Sequence, residues 1–352
     1  MDTPKLDAII VGQGLAGTCL AYQFLKRGKK VLVYDMAGGK DCSAIAAGTF
    51  NPIVFRTFST TWRAKELVPY LKSFYEEIAQ FIKGELLTPR RVIKGMKSED
   101  QRDLWVKKSA VEPGLRFMNP AIKDEIFGLR KERGYGLVIE AGTIDIKLLM
   151  TGLRNKLMSL GMLAEKEFDL NGMKVESDVV TYENVRAERI IFCQGYLAAA
   201  NPYFAQLPII PNKGEALIIE CPELSSVDII HNRINVVPMG GIRYWVGATF
   251  DWKNPSLNTT DSARSELIMR LDETLEVPYR IVDHLVGIRP TVSDRRPIIG
   301  FLDDKPEIGI FNGLGARGVM LAPFFSNHFV DSMYSGRALD PEVDLRRFNA
   351  KA

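Results

Sequence analysis

The chain has 352 residues, room for two domains at about 100–200 residues each and for a sizeable core. Its 46 basic and 43 acidic side chains leave a net charge of +3, too balanced to argue for nucleic acid, and 46% hydrophobic content is ordinary for a globular protein. No apolar run approaches the roughly 18 residues of a membrane helix. The first strand begins too early to leave room for a signal peptide. Cys19, Cys42, Cys193 and Cys221 form no C-x-x-C pair, and His231, His284 and His328 are isolated without ligand spacing. These features predict a reduced, cytoplasmic protein with no metal site.

Leu6 to Val11 is a short apolar run, and Gly12-Gln13-Gly14-Leu15-Ala16-Gly17 follows it as G-x-G-x-x-G. Ala16 to Lys26 has helical composition, Val31 to Tyr34 is a second apolar run, and Asp35 closes it. Strand, glycine turn, helix, strand and acid is the order of a dinucleotide-binding unit. Gly12 permits the tight turn, Gly14 lets a pyrophosphate approach the backbone, and Gly17 lets the helix sit close to the sheet. The helix N-terminus offers N–H groups and a positive dipole end to phosphates. Asp35 is placed to accept hydrogen bonds from a ribose. The motif alone does not separate FAD from NAD.

Asp41 to Pro52 reads D-C-S-A-I-A-A-G-T-F-N-P, a small-residue loop against which a bulky ring could lie. Thr60 to Lys83 is predicted as a long helix, with Trp62, Leu67, Leu71, Phe74, Ile78 and Phe81 at helical spacing. Arg56, Trp62 and Arg63 follow the small-residue loop closely and are candidate pocket walls. The charged run Lys97 to Lys108 reads as a solvated helix face. Asp145 is a candidate N-cap for a helix reaching about Leu160. Arg189 to Cys193 is a further buried strand ending at Gly195. Pro208 to Glu220, and a pair of strands within Ile234 to Phe250 turned at Gly240-Gly241, read as a second, β-rich region. Asp261 to Glu273 is predicted helical. Ile308 to Phe311 is a strand, Asn312 to Gly318 is glycine-rich, and Val319 to Ser335 is the last long helix, a second candidate anion-facing helix end.

Taken in order, these patches resemble the D-amino acid oxidase superfamily of flavoproteins, with glycine oxidase and sarcosine oxidase among its members. The resemblance is carried by G-x-G-x-x-G, Ser43 to Pro52, Gly195, Pro211 to Gly214 and Val246-Gly247-Ala248-Thr249. It continues through Gly287-Ile288-Arg289-Pro290 with Asp294 and Pro297 to Gly300, and ends at Gly313 to Pro323. It implies an α/β plus α+β fold: a Rossmann-like FAD-binding domain (1–85, 140–205 and 285–352) with a mixed-sheet substrate domain (86–139 and 206–284). It implies FAD contacts at Gly12, Gly14, Leu15, Ala16, Gly17, Asp35, Ser43, Ala47, Gly48, Gly195, Gly313, Gly315, Arg317, Gly318, Val319 and Met320. Arg289 is expected to bind a substrate carboxylate, since an arginine fork matches that group. Tyr244 and Trp245 lie on a strand from which one side chain could face the flavin; Tyr244 and Trp62 join Arg289 as candidate catalytic residues. With no cysteine after Cys221, FAD is expected to be noncovalent.

The reaction so implied is oxidation of a C–N bond in a small amine or amino acid bearing a carboxylate, by hydride transfer to flavin N5. The electron acceptor stays open. The Gly313 to Pro323 stretch is also similar to the flavin domain of the bifunctional tRNA wobble-uridine modification enzyme. A tRNA-modifying flavoprotein acting on a carboxymethylaminomethyl-type nucleotide is therefore the alternative, with Arg317 as a possible second anion contact. An NAD-dependent oxidoreductase is the third reading.

Overall fold

The computed structural model describes residues 5–36, 42–176 and 178–351. Its first large sheet has six strands, in the order Ile298–Phe301, Ile308–Asn312, Ile190–Phe192, Ala8–Val11, Val31–Tyr34, Leu163–Ala164. All neighbours run parallel except the outermost pair, Ile298–Phe301 with Ile308–Asn312. Parallel strands are covered on both faces and read as unbroken apolar runs; Ala8, Ile9, Ile10 and Val11 are all buried.

Helices Leu15–Lys26, Ala64–Ile82, Ile146–Ser159 and Gly318–Tyr334 pack together beside this sheet. Ala64–Ile82 buries Leu67, Val68, Leu71, Phe74, Tyr75 and Ile78, the face its apolar spacing predicts, and stops at Lys83, which has φ +59°. It starts four residues later than expected because Ser59 and Thr60 pair as a strand with Ile53 and Val54. Asp145 caps the next helix by accepting from Leu148 N at 2.8 Å, a contact of about 1 kcal/mol. Within the charged helix Glu99–Ser109, Trp105 is fully buried, and its indole lies where a side chain on Gly136 would begin. That face is therefore not wholly solvated.

The second sheet has nine described strands. Its path runs Arg280–Val292, Ile209–Glu220, Arg243–Gly247, Asn235–Gly240, Ile229–His231, Leu87–Gly95, Tyr135–Ile144, Thr49–Phe50, and Met118–Lys123 also pairs with Tyr135–Ile144. The division expected at 139/140 and 284/285 cuts two continuous strands, Tyr135–Ile144 and Arg280–Val292. Arg289 consequently belongs to the second sheet, paired with Asn212. Opposed residues in a sheet share a face. Leu285, Ala216, Gly247, Asn235 and His231 thus form one cross-strand row facing the first sheet. Leu217, Ile219, Tyr244 and Val246 alternate to the other face and join Leu267 and Leu271 of the Asp261–Asp272 helix in a separate core. No helix among the described residues is long and apolar enough to cross a membrane.

Candidate active site

A cavity of about 1070 Å³ runs from the glycine turn after the first strand to the second sheet. At its closed end Gly12 has φ +97°, and a Cβ on Gly17 would fall 1.8 Å from Gly12 O. The two glycines let the turn fold back onto the helix, so Gly17 packs behind the turn while Gly12, Gly14, Leu15 and Ala16 line the cavity. The helix starts at Gly14 with no side-chain cap and no acid in its first turn, which leaves its positive end facing the cavity. Leu15 N donates to Ser43 Oγ at 3.1 Å, tying this end to the small-residue loop.

Asp35 sits at the end of its strand, as expected. One oxygen accepts from Gln13 N at 2.8 Å; the other accepts from Arg154 Nη1 at 2.7 Å, and Arg154 also donates to Gln13 Oε1. Burial opposes the Arg154 charge, but Glu165 and Asp35 outweigh it and raise its pKa. Arg154 belongs to no motif; only the packing of the Ile146–Ser159 helix brings it here.

Ser43, Ala47 and Gly48 line the same cavity. A Cβ on Gly48 would fall 1.9 Å from Ile144 O, so the loop lies flat on the second sheet because its residues are small. Gly195, Gly315, Gly318 and Val319 line the opposite wall, where Asn312 Nδ2 donates to Gly195 O at 2.8 Å. Gly313, Arg317 and Met320 do not. Gly313 is packed against Val292 and Ile298, and Met320 is in the core. Arg317 is half-buried outside the cavity lining and donates to Arg295 O at 2.8 Å.

At the second sheet, Arg289 enters the cavity. Its Nη1 lies 3.3 Å from both Asn212 Oδ1 and Thr249 O, and its guanidinium lies 4.7 Å from the exposed Phe250 ring. It forms no ion pair with the described residues. Burial pushes its pKa down, with the Cys42 thiol acting weakly the other way. A buried cation paired only with neutral acceptors is a receptor for an anion. Trp245 lines the cavity and donates from Nε1 to Ile45 O at 3.0 Å, joining the second sheet to the small-residue loop. Tyr244, one residue earlier, points to the opposite face and donates to Leu224 O. Strand alternation thus removes Tyr244 from the site. Trp62 also lies elsewhere. It stacks on Phe325 at 5.5 Å under the Arg296 guanidinium, while Arg63 pairs with Glu66 and Asp340.

His231 was unremarkable in the sequence, but the cross-strand row brings it to this cavity. Its Nδ1 lies 2.7 Å from Asn235 Oδ1, and Asn235 Nδ2 donates to Gly247 O at 3.2 Å. Burial first, then Lys94, hold its pKa down at about 4. Behind the sheet, Lys213 Nζ and His284 Nε2 each lie 2.9 Å from the buried Glu215 carboxylate. Their angles are not those of hydrogen bonds, and Thr260 supplies the carboxylate's well-aligned donors from N and Oγ1.

The FAD dependent oxidoreductase family model matches residues 7–331. The chain belongs to this family. It is 26% identical over 351 residues to the glycine oxidase of Bacillus licheniformis, covering 91% of this chain and 90% of that one. It is 22% identical to the tRNA 5-methylaminomethyl-2-thiouridine biosynthesis bifunctional protein MnmC of Azoarcus sp., covering 96% of this chain. The chain spans 51% of the length of the bifunctional protein ThiO/ThiG of Nostoc sp. and 58% of that of the Azoarcus protein. The crystal structure of glycine oxidase from Geobacillus kaustophilus superposes with a TM-score of 0.76 at 20% identity, covering 96% of this chain and 97% of that one.

FAD is therefore the cofactor, and the NAD reading is set aside. The cavity fits it: the glycine turn and helix end suit a pyrophosphate, Asp35 a ribose, and the Ser43–Gly48 loop a flat ring. The chain is an FAD-dependent oxidoreductase.

Proposed function

We propose that this oxidoreductase acts on a C–N bond beside a carboxylate, in a small amino acid or an N-substituted amino acid. The carrying observation is Arg289, a cation in the cavity held by neutral acceptors only. FAD, held noncovalently, would supply the hydride acceptor when bound. Arg289 fixes the substrate carboxylate by charge-assisted hydrogen bonds, each worth about 1.5–3 kcal/mol. Asn212 and Thr249 hold the guanidinium, and Gly214 leaves the space it fills. Trp245, Ile45 and Phe250 supply apolar wall that keeps water from the reacting carbon. Orientation then contributes much of the acceleration, and no acid–base pair is required.

The test is anaerobic mixing of the yellow protein with a panel of small amino acids and N-alkylglycines. Bleaching of the flavin bands supports the reading; bound FAD that no member of the panel reduces overturns it. The likeness to the tRNA-biosynthesis relative over 96% of the chain favours a second reading, in which the N-substituted glycine is carried on a tRNA nucleotide. That reading requires salt-sensitive tRNA binding; no retention of tRNA at low salt rejects it.

A further inference from the structure

The Asp35 end of the cavity is held together by one arginine. A guanidinium carries five N–H groups, and in Arg154 each of them has an acceptor. Nη1 donates to Asp35 Oδ2 at 2.7 Å and to Gln13 Oε1 at 2.8 Å. Nη2 donates to Glu165 Oε1 at 2.8 Å and to Asp35 O at 3.4 Å, and Nε donates to the same Glu165 oxygen at 3.2 Å. Arg154 lines the cavity, yet it keeps no donor for a ligand. Two carboxylates beside this one cation also disfavour a phosphate on the ribose.

Gln13, the first variable residue of the glycine turn, is bracketed by the helix that carries Arg154. Its Nε2 donates to Met150 O at 3.0 Å while its Oε1 accepts from Arg154. Met150 and Arg154 are four residues apart on the Ile146–Ser159 helix and share a face. The Gln13 backbone N donates to Asp35 Oδ1 at 2.8 Å. The contacts close a ring: Asp35 to the Gln13 backbone, the Gln13 side chain to Arg154, and Arg154 back to Asp35. An ionised carboxylate has about four acceptor sites. The ring uses two of those on Asp35 and leaves two, the number a ribose diol requires.

We propose that Arg154 is a positioning residue for FAD, which fixes the Asp35 carboxylate and the glycine turn in the arrangement that accepts the adenosine ribose. The inference rests on Asp35 as the ribose acceptor and names the group that holds it. Without Arg154 the Asp35 side chain keeps only the Gln13 N–H and is freer to rotate, and Gln13 Oε1 loses its donor. The guanidinium acts through these two residues, since its own donors are all engaged. Its removal therefore weakens FAD binding through the ribose hydroxyls and leaves the flavin end of the cavity unaffected.

The test titrates apoprotein with FAD and with an FAD analogue that lacks both adenosine-ribose hydroxyls, and reads binding from flavin fluorescence. Wild type is expected to prefer FAD by at least ~10-fold, the discrimination that hydrogen bonds to a charged acceptor impose. R154M should bind FAD ~10-fold more weakly than wild type does, yet bind the analogue within about twofold of wild type, so that the preference collapses. A merely structural role would weaken both ligands by the same factor. R154K keeps the charge, but an ammonium has three N–H donors against five; its preference should fall between the other two. Thermal melts of the apoproteins show which variants fold, and R154K carries the test if R154M does not. Equal losses for the two ligands, or the full wild-type preference in either folded variant, overturns the proposal. Equal binding of the pair by wild type also overturns it, and takes with it the reading of Asp35 as ribose acceptor.

Discussion

Gly214 and Arg289 occupy one volume: the guanidinium lies where the side chain of any other residue at 214 would begin, 2.2 Å from an ideal Cβ. They sit on adjacent strands, Arg289 directly opposite Asn212, and the arginine folds over its neighbour's backbone to reach the cavity. The absence of a side chain at 214 is therefore what seats the guanidinium.

Gly214→Ala should push the guanidinium off its seat while leaving the nucleotide end untouched. Overpacking of this kind costs about 1–3 kcal/mol. The expected result is a KM raised by about 10-fold or more, with FAD content at the wild-type level, read by steady-state kinetics and by flavin-to-protein absorbance ratio.

Arg289→Met removes the charge but preserves much of the stem. Loss of charge-assisted hydrogen bonds worth about 1.5–3 kcal/mol predicts a kcat/KM lower by roughly 10- to 150-fold. Stability should hold or rise slightly, because a desolvated cation has been removed. Kinetics and a thermal melt check the two parts separately.

Asp35→Ala should weaken FAD binding. The substitution removes the carboxylate that takes both Gln13 N and Arg154 Nη1, and with it the proposed ribose acceptor. A loss of about 1–3 kcal/mol predicts an FAD dissociation constant higher by roughly 5- to 150-fold, measurable by titrating apoprotein and following flavin fluorescence.

The strand–turn–helix start, the place of Asp35 at its strand end and the small-residue loop could be read in the sequence because local backbone geometry constrains residue type within a few neighbours. Gly12 and Gly48 both adopt positive φ, and no larger side chain fits at either position. What the sequence hid depends on long-range register. Tyr244 and Trp245 look equally suited to a site, and only the strand's facing sends Tyr244 to Leu224 O and Trp245 to Ile45 O. Trp62 and Arg317 lie close in sequence to site segments, yet both turn into other contacts. His231, Asn235 and Arg154 carry no local signal; cross-strand pairing and helix packing place them.

Acid should destabilise the fold through His231. Its pKa in the folded chain is about 4, below the 6.5 of an unperturbed histidine. Between those values the unfolded chain binds the extra proton, so stability is complete above about pH 6.5 and falls as pH drops toward 4. The loss is on the order of 3 kcal/mol over that window. H231F should flatten this part of the curve; urea melts at a series of pH values measure it.

In the proposed reaction a carboxylate beside the C–N bond positions it for oxidation. Anaerobic rapid mixing tests it most directly, with N-methylglycine compared against dimethylamine, its counterpart without the carboxylate, and glycine against methylamine. The flavin bands are expected to bleach with the carboxylate-bearing members and to persist with the simple amines. Equal bleaching by both members of a pair, or no bleaching of bound FAD by any amino acid tried, would contradict it.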